Sequence, residues 1–239
     1  MDALDRESVE RAVRETAPDV LIHELTDLAG FDFSATARLR VEGTRNLVDA
    51  VLVSGVTRMI AQSISWAYGP GEVPATEEEP LASDPSTGAP LFPSINSLEA
   101  AVLELTGGIV MRYGLFYGPG TWYAGDGPQA ANARRGVVMA TTAKTSFVHV
   151  DDAASATVAA LSWPPGVVNI VDDDPTDVNE WAPLYIAAAG GAVVTIGAQA
   201  EGRAADNRHA RALGWTPKHE SWRTSLSDSR REPKNGQAS

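Results

Sequence analysis

Two serines two residues apart, Ser63 and Ser65, end the strand-like run Arg58-Met59-Ile60-Ala61-Gln62 and flank Ile64. Residues two apart on an extended chain share a face, so both hydroxyls point the same way, opposite Ile64. Such hydroxyls either satisfy loop backbone groups or form hydrogen-bonding walls of a cleft, because open parallel sheets take ligands at the carboxyl ends of their strands. Tyr68 and Tyr117 each read as packing residues with a bonded hydroxyl. Of the two, Tyr117 is the better candidate proton donor, since it stands beside the turn Gly118-Pro119-Gly120. His149 has a side chain of suitable pKa for proton transfer, and it also reads as a structural histidine tied to a carboxylate such as Asp152. Thr26 and Asp27 follow the run Asp19-Val20-Leu21-Ile22-His23 and suit either a turn and helix cap or a ligand contact. Gly114, Gly118 and Gly120 either serve tight turns or let a ligand approach the backbone.

Other chemistries are closed off by composition. The chain has no cysteine, which removes disulfides, thiolate metal sites and a cysteine nucleophile, and fits a reducing cytoplasm. Its four histidines, His23, His149, His209 and His219, show no metal-ligand spacing, so no metal site is expected. A net charge of −12 with scattered basic residues opposes a phosphate backbone, and nucleic acid is not an expected partner. No apolar run approaches the roughly 18 residues of a membrane span. The acidic start Met1-Asp2-Ala3-Leu4-Asp5-Arg6 has no export-signal pattern.

The elements that must position these residues can be read from periodicity. Asp5 caps a helix carrying Val9, Ala12, Val13 and Ala17, which ends at Pro18. The short apolar run of 19–23 is a strand, followed by a turn at Gly30. A single long helix is expected from about Ser34 to a left-handed terminator at Gly55. After the strand of 58–63, the Pro-, Gly-, Glu- and Ser-rich stretch 69–93 reads as a surface loop, with Glu77-Glu78-Glu79 solvated. A helix over 95–105, a strand over 108–113, an alanine-rich helix over 152–161 and a strand over 166–171 complete the pattern. Strands alternating with helices predict an α/β fold with a parallel sheet covered on both faces. One domain over 1–224 and a disordered tail over 225–239, dense in Ser, Arg and Lys, are expected.

Five segments in order resemble the extended short-chain dehydrogenase/reductases of the NAD-dependent epimerase/dehydratase type. They are Pro18-Asp19-Val20-Leu21-Ile22-His23, then Glu42-Gly43-Thr44-Arg45-Asn46-Leu47 with Val48-Asp49-Ala50, then Gln62-Ser63 to Tyr68-Gly69. Arg112-Tyr113-Gly114 with Tyr117-Gly118-Pro119-Gly120 and Phe147-Val148-His149-Val150-Asp151-Asp152 follow. The resemblance implies a Rossmann-like parallel sheet with a small C-terminal substrate lobe, NAD or NADP as cofactor, and a small-molecule or sugar-type substrate. It places Thr26 and Asp27 beside the cofactor ribose and assigns Ser63, Tyr113 and Gly114 to the cofactor side. Ser65, Tyr117 and His149 are the candidate catalytic groups.

The departures from the family pattern carry as much information. The strand, GxxGxxG turn and helix that hold the cofactor pyrophosphate have no counterpart here, since Asp2-Ala3-Leu4-Asp5 already matches the segment after the third strand. Two βα units are therefore expected upstream in the same reading frame, and without them exposed apolar surface should drive self-association into a homo-oligomer. Pro93 and Ser97 occupy the positions of the catalytic tyrosine and lysine, and neither can relay a proton. Arg40 stands where the family has an active-site asparagine, and Thr145 where it has an arginine that binds a substrate diphosphate. A non-catalytic member that binds a ligand or partner through the old cleft is the alternative reading.

Overall fold

The computed structural model describes residues 1–27, 33–82, 91–136, 143–192 and 202–224. The turn at Gly30, part of the loop over 69–93 and the tail over 225–239 lie outside the described residues.

Helix α1 (Arg6–Thr16) begins as its sequence dictates. The Asp5 carboxylate accepts the free N–H groups of Glu7 at 3.0 Å and Ser8 at 3.3 Å, and Val9 and Val13 turn inward. Strand β1 (Val20–His23) follows. The single helix expected over 34–55 is instead three pieces: α2 (Phe33–Arg38), a π turn (Leu39–Gly43) and α3 (Thr44–Ser54). A π turn inserts one residue into the helical repeat. Here it brings Arg40 and Gly43 to the buried side, although apolar periodicity alone would not put an arginine there. Gly55 closes α3 in the left-handed region at φ 81°, as expected.

After strand β2 (Arg58–Ile64) the next helix is α4 (Leu91–Leu103), which starts four residues before the expected 95. Pro93 is tolerated there because the first turn of a helix has no intrahelical acceptor for its missing N–H. Strand β3 (Gly108–Tyr113), the short β4 (Leu115–Tyr117), α5 (Pro128–Arg134), β5 (Lys144–Thr145) and β6 (Phe147–His149) come next. They are followed by α6 (Val150–Ala160), β7 (Gly166–Ile170), β8 (Thr176–Asp177), α7 (Val178–Ala188) and α8 (Arg208–Ala212).

The main sheet is parallel in the order β1-β2-β3-β7. His23 pairs with Ala61, Ile64 with Tyr113, and Tyr113 with Ile170. Both faces are covered, which makes the fold Rossmann-like. Leu21, Met59, Ala61 and Val110 pack under α1, α3 and α4, and Ile60, Ile109, Met111 and Val168 pack against α6 and Trp163. Ala210 and Trp215 return to that second core, so the end of the described chain folds back onto the sheet. Among the described residues β1 pairs only with β2 and is an edge, and its Ile22 is 47% exposed. Beside the sheet lies the C-terminal lobe, with the pairs β4–β6 and β5–β8 around an aromatic cluster of Tyr117, Tyr123, Phe147, Trp181, Tyr185 and Trp222. Alternation had not revealed these short strands because each has only two or three residues.

Candidate functional site

The carboxyl ends of β1, β2 and β3 bring most of the expected residues to one edge of the sheet, but they use them differently. Ser63 is buried and donates its hydroxyl to Glu99 Oε1 on α4 at 2.5 Å. Glu99 in turn receives Arg112 Nε at 2.9 Å and Nη2 at 2.6 Å, while Arg112 Nη1 donates to the Tyr68 hydroxyl at 2.7 Å. The Tyr68 hydroxyl donates in turn to Asn169 Oδ1 at 2.8 Å. This chain of bonds ties β2, β3, β7 and α4 together and holds the loop after β2. Ser63 and Tyr68 are structural members of it.

Ser65, one residue past β2, is the opposite case. It is 1% exposed and its Oγ has no hydrogen-bond partner. A hydroxyl buried in that state carries a desolvation cost. Arg40, in the π turn between α2 and α3, is also buried, with Nη1 unpartnered. Burial, and next the Arg40 charge, push the His23 imidazole down to about 4. His23 is therefore neutral at neutral pH: Nδ1 accepts the Leu25 N–H at 3.3 Å, which leaves Nε2 to donate to Thr44 Oγ1 at 2.9 Å. Glu24 keeps an exposed flank, while the protein on its other side pushes its carboxyl up to about 7. Neither Arg40 nor Glu24 belonged to the candidate set read from motifs. The substitution of Arg40 at a family asparagine position was its only signal.

Tyr113 is 2% exposed, and its hydroxyl is bonded to Thr157 Oγ1 on α6 at 2.6 Å. Burial, and secondarily the Glu24 carboxylate, raise its pKa. At Gly114 a side chain would meet the Phe147 carbonyl carbon at 2.7 Å and the Ser146 oxygen at 2.8 Å. That glycine therefore admits the backbone of the neighbouring strand. Thr26 is half-buried and Asp27 exposed just past β1, and the Thr36 hydroxyl binds the Asp27 backbone at both N and O.

Tyr117 and His149 are register partners on β4 and β6, with ring centroids 5.1 Å apart, edge to face. No hydrogen bond joins Ser65 to either. His149 caps α6, its Nδ1 accepting the Asp151 N–H at 3.2 Å. The carboxylate expected to hold it, Asp152, instead holds His219: the fully buried Asp152 accepts His219 Nδ1 at 2.9 Å together with the backbone N–H groups of Lys218 and His219. The two imidazoles then stack at 3.7 Å and 20°. Burial, and next the charge of His219, lower the His149 pKa. His149, Asp151 and His219 offer one ligand atom each within 4.8 Å, a grouping that sequence spacing did not reveal. Nearly parallel rings aim their in-plane lone pairs side by side rather than at one point, so the arrangement suits stacking better than metal ligation.

The fit to a nicotinamide dinucleotide can be judged from these groups. Thr26 and Asp27, just past β1, are the residues that the resemblance puts beside its ribose. Among the described residues no glycine-rich turn opens a helix to cradle its diphosphate.

Comparison with known proteins agrees with this architecture. A Streptomyces protein, 3-diazoavenalumate denitrifying reductase, is 38% identical over an alignment of 256 residues that takes in 94% of this chain and 84% of the relative. Among solved structures, a Thermus thermophilus UDP-glucose 4-epimerase in complex with NAD superposes with a TM-score of 0.75 at 24% identity, covering 98% of this chain and 84% of the other. The Bordetella bronchiseptica enzyme WbmG, in complex with NAD and UDP, reaches a TM-score of 0.80 at 18% identity, covering 96% and 77%. These two share the fold. The profile of the NAD dependent epimerase/dehydratase family matches residues 1–171, and with the Streptomyces relative this establishes that the chain belongs to that family.

Proposed function

We propose that this protein is a reductase that acts on a small aromatic molecule rather than a nucleotide sugar, with NAD or NADP as the source of electrons. The observation that carries this reading is the state of α4. Pro93 and Ser97 are both exposed, and the Ser97 hydroxyl is spent on the Pro93 carbonyl at 2.9 Å. Epimerisation and dehydration move protons at a sugar carbon or hydroxyl and need a positioned acid and base. Replacing a diazo group by hydrogen needs neither: R–N₂⁺ and hydride give R–H and N₂, the C–N pair leaving with dinitrogen and the hydride pair forming the C–H bond. The cofactor, when bound, supplies that hydride. The Streptomyces relative is named for a reductive denitrification of a diazo compound, which is chemistry of this class.

The residues of this chain would bind and orient the substrate and keep it dry. Leu25 and Trp66, just past the ends of β1 and β2, and Phe33 at the start of α2 are 41%, 37% and 45% exposed, apolar side chains of a kind that suits an aromatic ring. Thr145 is buried and accepts the Trp181 Nε1 proton at 3.2 Å, so the position at which the family binds a diphosphate belongs here to the aromatic lobe. The test supplies the full chain with 4-deuterated NADH or NADPH and an aryl diazonium carboxylate, and reads deuterium in the arene by mass spectrometry. Deuterium transfer above the protein-free rate is expected, with no epimerisation of UDP-glucose. Turnover of UDP-glucose, or transfer at the background rate only, would overturn the reading. The lack of a diphosphate cradle among the described residues favours a second reading, a ligand-binding family member without turnover, and the background-only outcome would select it.

A further inference from the structure

Arg40 is 7% exposed, makes no ion pair among the described residues, and has Nη1 buried with no acceptor. A buried guanidinium without an anion is an expensive state that proteins rarely keep. His23, which feels its charge, is neutral and already bonded to Thr44, and among the described residues no carboxylate bonds to Arg40. Burial alone acts on the guanidinium and lowers its pKa. The π turn that carries Arg40 is what turns it inward, and such insertions concentrate at functional sites.

We propose that Arg40 is the receptor for a carboxylate group of the substrate. The inference rests on the reading of the protein as one that takes a small aromatic substrate, and it adds the charged end of that molecule. A planar guanidinium fork matches a carboxylate through two parallel N–H···O bonds. A phosphate fits the place less well. Phosphate sites recruit free backbone N–H groups at a helix start, whereas here the helix runs on through the π turn and the Thr44 N–H is bonded back to Leu39 and Val41.

The experiment uses the full chain without nicotinamide cofactor, so it is independent of turnover. Calorimetry measures binding of cinnamate, of its neutral amide cinnamamide, and of inorganic phosphate to the wild type and to Arg40→Met and Arg40→Lys. Cinnamate should bind the wild type on the order of tenfold or more tighter than it binds Arg40→Met, the worth of a charge-assisted hydrogen bond, and Arg40→Lys should recover part of the loss. Cinnamamide should bind the wild type as weakly as cinnamate binds Arg40→Met, and phosphate should not compete. In the unliganded state Arg40→Met should melt at or above the wild-type temperature, because it removes an unpaired buried charge. The assignment is overturned if cinnamate fails to bind the wild type or binds Arg40→Met equally well. It is also overturned if phosphate binds at least as tightly as cinnamate, which would make Arg40 a cofactor-phosphate contact. A melting temperature for Arg40→Met several degrees below the wild type would mark Arg40 as structural. Deuterium transfer without Arg40-dependent binding would sink this inference alone, and Arg40-dependent binding without transfer would sink only the reductase.

Discussion

Glu99 grips Arg112 through both of its oxygens, at 2.9 Å to Nε and 2.6 Å to Nη2, with the two side chains 8% and 6% exposed. Removing one member of a buried pair strands the other charge, which typically costs about 3–5 kcal/mol. Glu99→Gln should therefore lower stability by that order in denaturant melts. Ser63→Ala deletes a bond to the same carboxylate and should cost roughly 1–3 kcal/mol. If the resemblance is right that Ser63 contacts the cofactor, Ser63→Ala would also weaken NAD or NADP binding at constant stability. Its engagement by Glu99 predicts the reverse, a loss of stability with cofactor affinity unchanged.

Two buried groups should give stability a pH dependence of opposite sign. His23 has a folded pKa of about 4 against 6.5 for an ordinary histidine, so between these values the unfolded chain binds more protons and stability falls as pH drops. Asp172 is pushed by burial up to about 8 from 3.8, against the pull of hydrogen bonds from the Asp174 and Trp222 N–H groups. There the folded chain binds more protons, and stability falls as pH rises from about 4 through 8. His23→Gln should narrow the difference in unfolding free energy between about pH 7 and pH 5, and Asp172→Asn should gain on the wild type between about pH 5 and pH 8. Parallel pH curves for wild type and variant would refute the assignment for that residue.

The sequence made the sheet legible because each of its four strands is a short apolar run closed by turn residues, and because Asp5 and Gly55 are unambiguous helix ends. Arg40 was not legible as a buried charge. Helical periodicity counts 3.6 residues per turn, and one inserted residue at Leu39–Gly43 rotates the register without leaving a compositional mark. The partnership of Asp152 with His219 spans 67 residues of chain, and no spacing rule reaches that far. Gly114 was legible as a position without a side chain, but not the reason, which is the neighbouring backbone at Phe147.

Position 97 tests the claim that the family's proton relay is absent. Ser97 is exposed on α4 and its hydroxyl returns to the Pro93 carbonyl, a local bond that competes with ideal helix geometry. Ser97→Ala should leave reductase turnover within about twofold and raise stability by a few tenths of a kcal/mol through better helix propensity. A drop of a hundredfold, the usual worth of a general acid or base, would place Ser97 in the chemistry after all.

Gly118 and Gly120 flank the same proline and have similar positive φ angles, 101° and 75°, yet their surroundings differ. A side chain at Gly120 would meet nothing within 4 Å, whereas one at Gly118 would stand 2.5 Å from His149 Nε2. Gly120→Ala should therefore cost only the backbone strain, about 1–3 kcal/mol. Gly118→Ala must pay that strain and also move the His149 ring, which is held by the Asp151 N–H on one side and by the stacked His219 on the other. Its stability loss should exceed that of Gly120→Ala, and the His149 and His219 imidazole resonances should shift in Gly118→Ala but not in Gly120→Ala. If His149 is also a proton-transfer group, turnover will fall in Gly118→Ala beyond what its folded fraction explains. Turnover that tracks the folded fraction in both variants would confine His149 to capping α6.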